Sequence, residues 1–176
     1  IAPSGTFIVG GTTGTFGELI SWRLDDRGAS SPRAVRAFPQ GSYVGALAVS
    51  PDSTVVAALE YTGQHVALFR ANSNGDLTPV SMLDTPIPQG VSFSSDGRTL
   101  AVPLAEERVQ LWDVSEPGHP TLVGQVPNPG SPALAAALSP AGNLLAVGES
   151  SGQVTVWDVS RPDDPAKIRT FRDPLA

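Results

Sequence analysis

Apolar runs of four to six residues recur along the chain, and the Gly, Pro, Ser and Asp residues fall between them. Short runs bounded by turn formers predict β-strands joined by tight turns. The pattern is itself periodic. Ser94-Ser95-Asp96-Gly97, Arg98-Thr99-Leu100-Ala101-Val102, Arg108-Val109-Gln110-Leu111-Trp112-Asp113 and a run over 121–126 come back 45 residues later. There they read Ser139-Pro140-Ala141-Gly142, Leu144-Leu145-Ala146-Val147, Gln153-Val154-Thr155-Val156-Trp157-Asp158 and a run over 166–171. A weaker copy has Ser50-Pro51-Asp52, a strand over 55–59, and His65-Val66-Ala67-Leu68-Phe69-Arg70, with Phe69 in the tryptophan's place. The first copy has Ala2-Pro3-Ser4-Gly5, then Phe7-Ile8-Val9, then Leu19-Ile20-Ser21-Trp22. The steps from Trp22 to Phe69, Trp112 and Trp157 are 47, 43 and 45 residues, a period that predicts the four-stranded blades of a β-propeller.

The expected fold is therefore all-β: an arc of antiparallel blades, three complete and one partial. The partial blade spans 1–39, and the others span 40–84, 85–127 and 128–172. Strand a of each full blade (46–49, 91–93, 135–138) is rich in small residues, as the crowded axis of a propeller requires. Strand b follows the turn, strand c ends in the aromatic, and strand d lies at 34–38, 78–83, 121–126 and 166–171. The first blade has no strand a, and residues 172–176 stop where another would begin. The expectation is an arc of a larger propeller of seven or so blades, with self-association of two arcs as the alternative. Pro103, near the end of a strand b, marks a bulge or the end of pairing.

Antiparallel parity puts the b-to-c and d-to-a loops on one face and the a-to-b and c-to-d loops on the other. The second face carries the repeated turns Asp113-Val114-Ser115-Glu116-Pro117 and Asp158-Val159-Ser160-Arg161-Pro162, in which the carboxylate can bond the N–H two residues on. Trp22, Phe69, Trp112, Asp113, Trp157 and Asp158 are thus structural. The first face carries loops that differ from copy to copy, and Phe16, Tyr43, Tyr61 and Arg108 on it are the candidates for contacting a protein or peptide, since aromatics and Arg dominate interface energies.

The net charge of −6 comes from scattered acids with no basic patch, which argues against a nucleic-acid partner. With no Cys there is no disulfide, thiolate metal site or cysteine nucleophile. The longest apolar run, 133–138, is too short for a membrane span, so a soluble chain is expected. The compartment stays open, with the cytoplasm favoured.

Leu111-Trp112-Asp113 and Val156-Trp157-Asp158, each after a Ser-x-x-Gly turn and a Leu-Ala-Val strand, resemble WD40-type repeats. The continuation Asp-Val-Ser-x-Pro looks like the long arrays of bacterial, particularly actinobacterial, proteins. The resemblance implies a rigid scaffold that displays loops to other proteins without catalysis. It also implies a tetrad built from a Gly-His pair, an Asp six residues before the Trp and a strand-b hydroxyl. The Asp position here holds Phe16, Gly63, Glu106 and Ser151, and the strand-b position holds Gly10, Ala58, Val102 and Val147, so stability must come from apolar packing between blades. A second resemblance is carried by Val66-Ala67-Leu68-Phe69-Arg70 with Asn74-Gly75-Asp76-Leu77, which is similar to the seven-bladed lactonase family related to 6-phosphogluconolactonase. That family implies an enzyme acting on a sugar lactone, with a His in a Pro-His-Gly-Val segment. The corresponding segment is Pro88-Gln89-Gly90-Val91, and Gln cannot act as a general base near pH 7.

Other chemistry is thin. His65 and His119 have no second ligand beside them in sequence, and Asp25-Asp26 and Asp163-Asp164 lack the alternating spacing of a calcium loop. Glu106-Glu107-Arg108 reads as a solvated hairpin tip. Gly10-Gly11-Thr12-Thr13-Gly14 leads into a strand, so no helix N-terminus is there to hold a phosphate. No catalytic residue, cofactor or metal is expected.

Overall fold

The computed structural model describes residues 1–13, 16–25, 28–29, 32–62, 65–106, 108–127 and 131–172. Their regular structure is β-strand throughout, arranged in four antiparallel sheets. The first sheet has β1 (Phe7–Gly11) and β4 (Arg33–Gln40) flanking β2 (Phe16–Asp25), with β3 (Gly28–Ala29) folding back on the end of β2. The second runs β5 (Val44–Val49), β6 (Val55–Glu60), β7 (His65–Ala71) and β8 (Leu77–Asp84) in chain order. The third comprises β9 (Ser92–Phe93), β10 (Thr99–Leu104), β11 (Arg108–Asp113) and β12 (Thr121–Pro127). The fourth comprises β13 (Ala133–Leu138), β14 (Leu144–Glu149), β15 (Val154–Asp158) and β16 (Ala166–Phe171). This is an arc of propeller blades, three with strands a to d and a first sheet with b, c and d. The β2–β3 hairpin was not expected from the repeat. No helix among the described residues is long and apolar enough to cross a membrane.

The repeated turns owe their sequence to hydrogen bonding. In the third blade the Ser94 hydroxyl donates to Asp96 Oδ1 at 2.6 Å and accepts from the Thr99 N–H at 2.9 Å, fastening the first residue of strand b. Ser50 does the same for Val55, and Ser139 for Leu144. Gly97 and Gly142 stand at φ 72° and 71°, where a Cβ is strained, yet blade two has Ser53 at φ 64°. Ser53 is held there from the neighbouring blade, whose Ser4 N–H donates to its hydroxyl at 2.9 Å.

On the same face, Asp113 Oδ1 accepts from the Ser115 N–H and hydroxyl at 2.9 and 2.7 Å, and Asp158 Oδ1 from the Ser160 N–H at 2.9 Å. The Ser115 bonds hold the Asp113 carboxyl below its ordinary 3.8, and the Ser94 hydroxyl does the same for Asp96. A carboxyl whose folded-state pKa is depressed contributes stability that is present above its unfolded pKa and lost as pH falls through the folded one. Stability should therefore fall as pH drops below about 4. The Asp96→Asn, Asp113→Asn double variant should show a flatter acid limb in melts taken from pH 6 to pH 2. Superimposable acid limbs would mean that these bonds contribute nothing in solution.

The blades are joined by three apolar clusters that use the two faces of each sheet differently. On strand c the aromatic points back to the preceding blade: Phe69, paired with Val56, packs on Phe7, Val9 and Leu19. Trp112, paired with Leu100, packs toward Leu59, Val66 and Leu68. Trp157, paired with Leu145, packs toward Ala101, Val109 and Leu111. Each blade thus has an anchor face carrying the aromatic and a receiver face carrying small and branched residues. Fully burying one such side chain is worth about 1.5–3 kcal/mol, against about 1 kcal/mol for a turn hydrogen bond, so the joints dominate the stability.

The c–d ladders of the second, third and fourth blades also slip by one residue immediately before the aromatic, between Leu68 and Phe69, Leu111 and Trp112, and Val156 and Trp157. The extra residues on strand d are Val80, Val123 and Ile168. Val80 and Val123 pack into the joint with the following blade. Pro103 causes no bulge against β11, where it faces Val109 in continuous register. On its other side the ladder to β9 stops at Ala101 and Ser92, leaving β9 two residues long.

Candidate functional site

The d-to-a and b-to-c loops of the second blade meet, as parity requires. Tyr43, before β5, and Tyr61, after β6, stack with ring centroids 4.7 Å apart and planes at 21°. The Tyr61 N–H donates to the Tyr43 carbonyl at 3.0 Å, so backbone as well as rings joins the two loops. Gly45 makes room for them, since a Cβ there would lie 3.0 Å from the Tyr61 side chain. Burial raises the Tyr43 hydroxyl's pKa, with the charge and hydrogen bond of Tyr61 adding to it.

Beside this platform is a groove of about 270 Å³ lined by Gly45, Leu59, Tyr61, Ile87, Pro88 and Gln89, between the second and third blades. Tyr61 is 64% exposed and Ile87 51%. Ile87 has φ 45°, a conformation a β-branched residue adopts only under constraint. Its carbonyl accepts from the Ala105 N–H at 3.1 Å and from Gln89 Nε2 at 3.2 Å, while the Gln89 N–H donates to the Pro103 carbonyl at 2.8 Å. The two backbone bonds flank an isolated antiparallel bridge between Pro88 and Leu104, so the segment before β9 stays tied to the end of β10 beyond the gap in the ladder.

Arg108 opens β11 and pairs with Glu106 at 3.2 Å, with a further bond to Gln125 at 3.3 Å, both within its own blade. Phe16 opens β2, its side chain outside what is described. The structure thus brings two of the four chosen contact residues together. Sequence reading passed over a polar pair on the same face. The Ser42 hydroxyl donates to the buried Glu60 carboxylate, and 89 residues on Ser131 donates to Glu149 at 3.0 Å, with Thr155 donating to Glu149 at 2.7 Å. Both pairs are 18 residues apart and tie a d-to-a loop to the end of strand b, the role that the absent tetrad would have had. That repeated Ser and Glu spacing was the available signal.

The remaining candidates lie apart from this groove. Gly11 is required because a Cβ would lie 2.4 Å from Val44 Cβ of the next blade; Gly14 lies outside the described residues. His65 is half-buried at the start of β7, with Nδ1 3.9 Å from an exposed Asp84 oxygen, too far for a hydrogen bond. His119 is exposed, and its N–H closes a turn onto the Glu116 carbonyl. Asp164 pairs with Arg161 across a turn. Asp26 and Glu107 lie outside the described residues. Among the described residues no three His, Asp or Glu side chains are placed to hold a metal.

The opposite face has its own opening between blades two and three, a polar groove of about 590 Å³ that includes Asp52, Arg70, Asp96, Arg98 and Glu116. Arg70 and Glu116 face each other across it at 4.0 Å. The c-to-d loop of the third blade is kept off the second by Ser81, whose hydroxyl donates to the Pro117 carbonyl at 2.6 Å. At the next joint the equivalent residue is Gly124, and Pro162 lies against its backbone.

The model of the family described as WD domain, G-beta repeat, matches residues 121–158. Comparison with curated protein sequences gives no match. Among solved structures the chain is similar to a functionally unknown protein from Desulfotomaculum acetoxidans, at 18% identity and a TM-score of 0.77 over 98% of this chain and 55% of that one. It is also similar to a candidate 6-phosphogluconolactonase from Bacteroides uniformis, at 17% identity and a TM-score of 0.82 over 98% of this chain and 53% of that one. A periplasmic gluconolactonase from Pseudomonas aeruginosa matches at 20% identity and a TM-score of 0.72, over 95% of this chain and 54% of that one. The chain spans about half the length of these structures, and at such identities the likeness shows the propeller fold.

Proposed function

We propose that this propeller arc is a non-catalytic binding module that holds a protein or peptide partner on the face of its b-to-c and d-to-a loops. The carrying observation is the stacked Tyr43–Tyr61 pair at the rim of the Leu59, Ile87 and Pro88 groove. A stacked aromatic pair with Tyr61 exposed, beside a strained, clamped apolar residue, is what a binding surface uses and a merely solvated loop does not need. The test compares wild type with a variant in which Phe16, Tyr43, Tyr61 and Arg108 are all alanine. The variant should lose the captured partner while keeping the wild-type melting temperature. Recovery of the same partners at the same yield would remove this surface from the function.

The lactonase reading has one specific point in its favour: Gln89 lies in the groove, in the segment where the lactonase resemblance expects a His. Its amide donates back to the Ile87 and Pro88 carbonyls, which occupies the group a substrate would need. Hydrolysis of a sugar lactone above background, lost in Gln89→Ala, would replace the binding-module reading.

A further inference from the structure

The groove beside the tyrosine platform has an apolar base and a border whose charge is almost all of one sign. Leu59, Ile87 and Pro88 form the base, and Gly45 leaves it open. One face of the Tyr61 ring rests on Tyr43, and the rest of this largely exposed ring borders the groove. The platform is not something the fold requires. The same backbone bond closes the equivalent loops of the third and fourth blades, from the Ala105 N–H to the Ile87 carbonyl and from the Ser150 N–H to the Pro132 carbonyl, with no ring at either. Among the described residues, the loops beside the groove carry three carboxylates and one guanidinium, Arg108, which is taken by Glu106 and Gln125. Glu60 directly precedes Tyr61, and its buried carboxylate takes a hydrogen bond from the neutral Ser42 hydroxyl. Asp84 stands three residues before Ile87 with its side chain 90% exposed, and its one neighbour of cationic type within 4.0 Å is His65 Nδ1, at 3.9 Å.

We propose that this groove takes an extended basic peptide segment, with an arginine laid over the outward side of Tyr61 toward Asp84 and an adjoining aliphatic residue against Leu59, Ile87 and Pro88. The inference rests on the binding-module reading and narrows its partner. Charge complementarity selects the sign of the occupant. An acidic segment would set like charges against Asp84 and Glu60, whereas a basic one is drawn to them. The ring selects the type of cation, because a guanidinium lies flat on an aromatic face and still has N–H groups at its edge for a carboxylate. Size selects a peptide. A volume of about 270 Å³ falls below the range of about 300–1,000 Å³ usual for small-molecule sites, and it suits one or two side chains of a segment lying across the blades.

Fluorescence anisotropy with short labelled peptides tests this, using pools randomised among Leu, Pro, Ser and Gly around a fixed central Arg, Lys, Gln or Glu. The wild-type chain should bind the Arg pool about tenfold more tightly than the Glu pool, the size of one cation–π contact with a partly screened ion pair, and the Lys pool in between. Tyr61→Leu, which keeps an apolar side chain, and Asp84→Asn should each remove most of that preference at an unchanged melting temperature. Asp163→Asn makes the same charge change on the opposite face and should leave binding as it was. Equal binding of the Arg and Glu pools, or no binding of any pool up to about 1 mM, overturns the proposal. A preference for arginine that survives both Tyr61→Leu and Asp84→Asn also overturns it, because the net charge of the chain then accounts for it. If the four-alanine variant loses its captured partner while the pools show no preference for arginine, the face binds a partner of other chemistry and this inference alone fails.

Discussion

Gly124→Ala should destabilise the protein by about 3 kcal/mol or more, the upper range for forcing atoms into a filled space. A Cβ at this position would sit 1.8 Å from the Pro162 carbonyl oxygen and 2.5 Å from its carbon. The obstacle is backbone, so no rotamer change relieves it, and the c-to-d loop of the fourth blade has to lift away from the third. Ser81 shows the alternative at the equivalent place, where a side chain is accommodated and its hydroxyl bridges to Pro117. Urea unfolding of the variant measures the loss. A cost under about 1 kcal/mol would mean that the loop is free to move and that the contact is incidental.

Trp157→Ala should cost about 3–5 kcal/mol, because it empties the centre of the joint between the third and fourth blades. Trp157→Phe should cost much less. The buried Nε1–H of Trp157 has no acceptor, so phenylalanine keeps most of the apolar contact and removes a desolvated donor. Trp112 is the opposite case, since its Nε1–H donates to Gln110 Oε1 at 3.0 Å and Gln110 is itself buried. Trp112→Phe leaves that oxygen unpaired and should be the more costly of the two phenylalanine variants. The reverse order in denaturant titrations would show that the orphaned indole nitrogen of Trp157 finds a partner in solution.

Strand order and the direction of each chain segment were legible in the residues because they depend on local signals: turn formers, short apolar runs and an aromatic every 43 to 47 residues. Parity then placed Tyr43 and Tyr61 on one face with no knowledge of contacts. What was illegible depends on register. The one-residue slip before Phe69, Trp112 and Trp157 leaves no mark in composition, because Val80, Val123 and Ile168 look like ordinary strand residues. The Ser42–Glu60 and Ser131–Glu149 pairs were missed because the WD40 pattern directs attention to an Asp before the Trp. In this chain the same mechanical task has moved to the end of strand b. The groove at Ile87 was hidden for a similar reason: the a–b ladder breaks off at Ala101 and Ser92 and resumes only as a single bridge between Pro88 and Leu104, and a proline in a strand announces an interruption without saying where pairing resumes.

The one-way packing of the aromatics has a consequence for how such a chain can change length. A blade that carries its tryptophan toward its predecessor and a receptive surface toward its successor brings both halves of a joint in a fixed sense. Duplicating or deleting one period anywhere along the gene therefore restores a matched contact at the seam, with no new surface to invent. The inherited module is the joint, and blade number becomes a quantity that recombination can alter in whole steps while every interior contact keeps its chemistry.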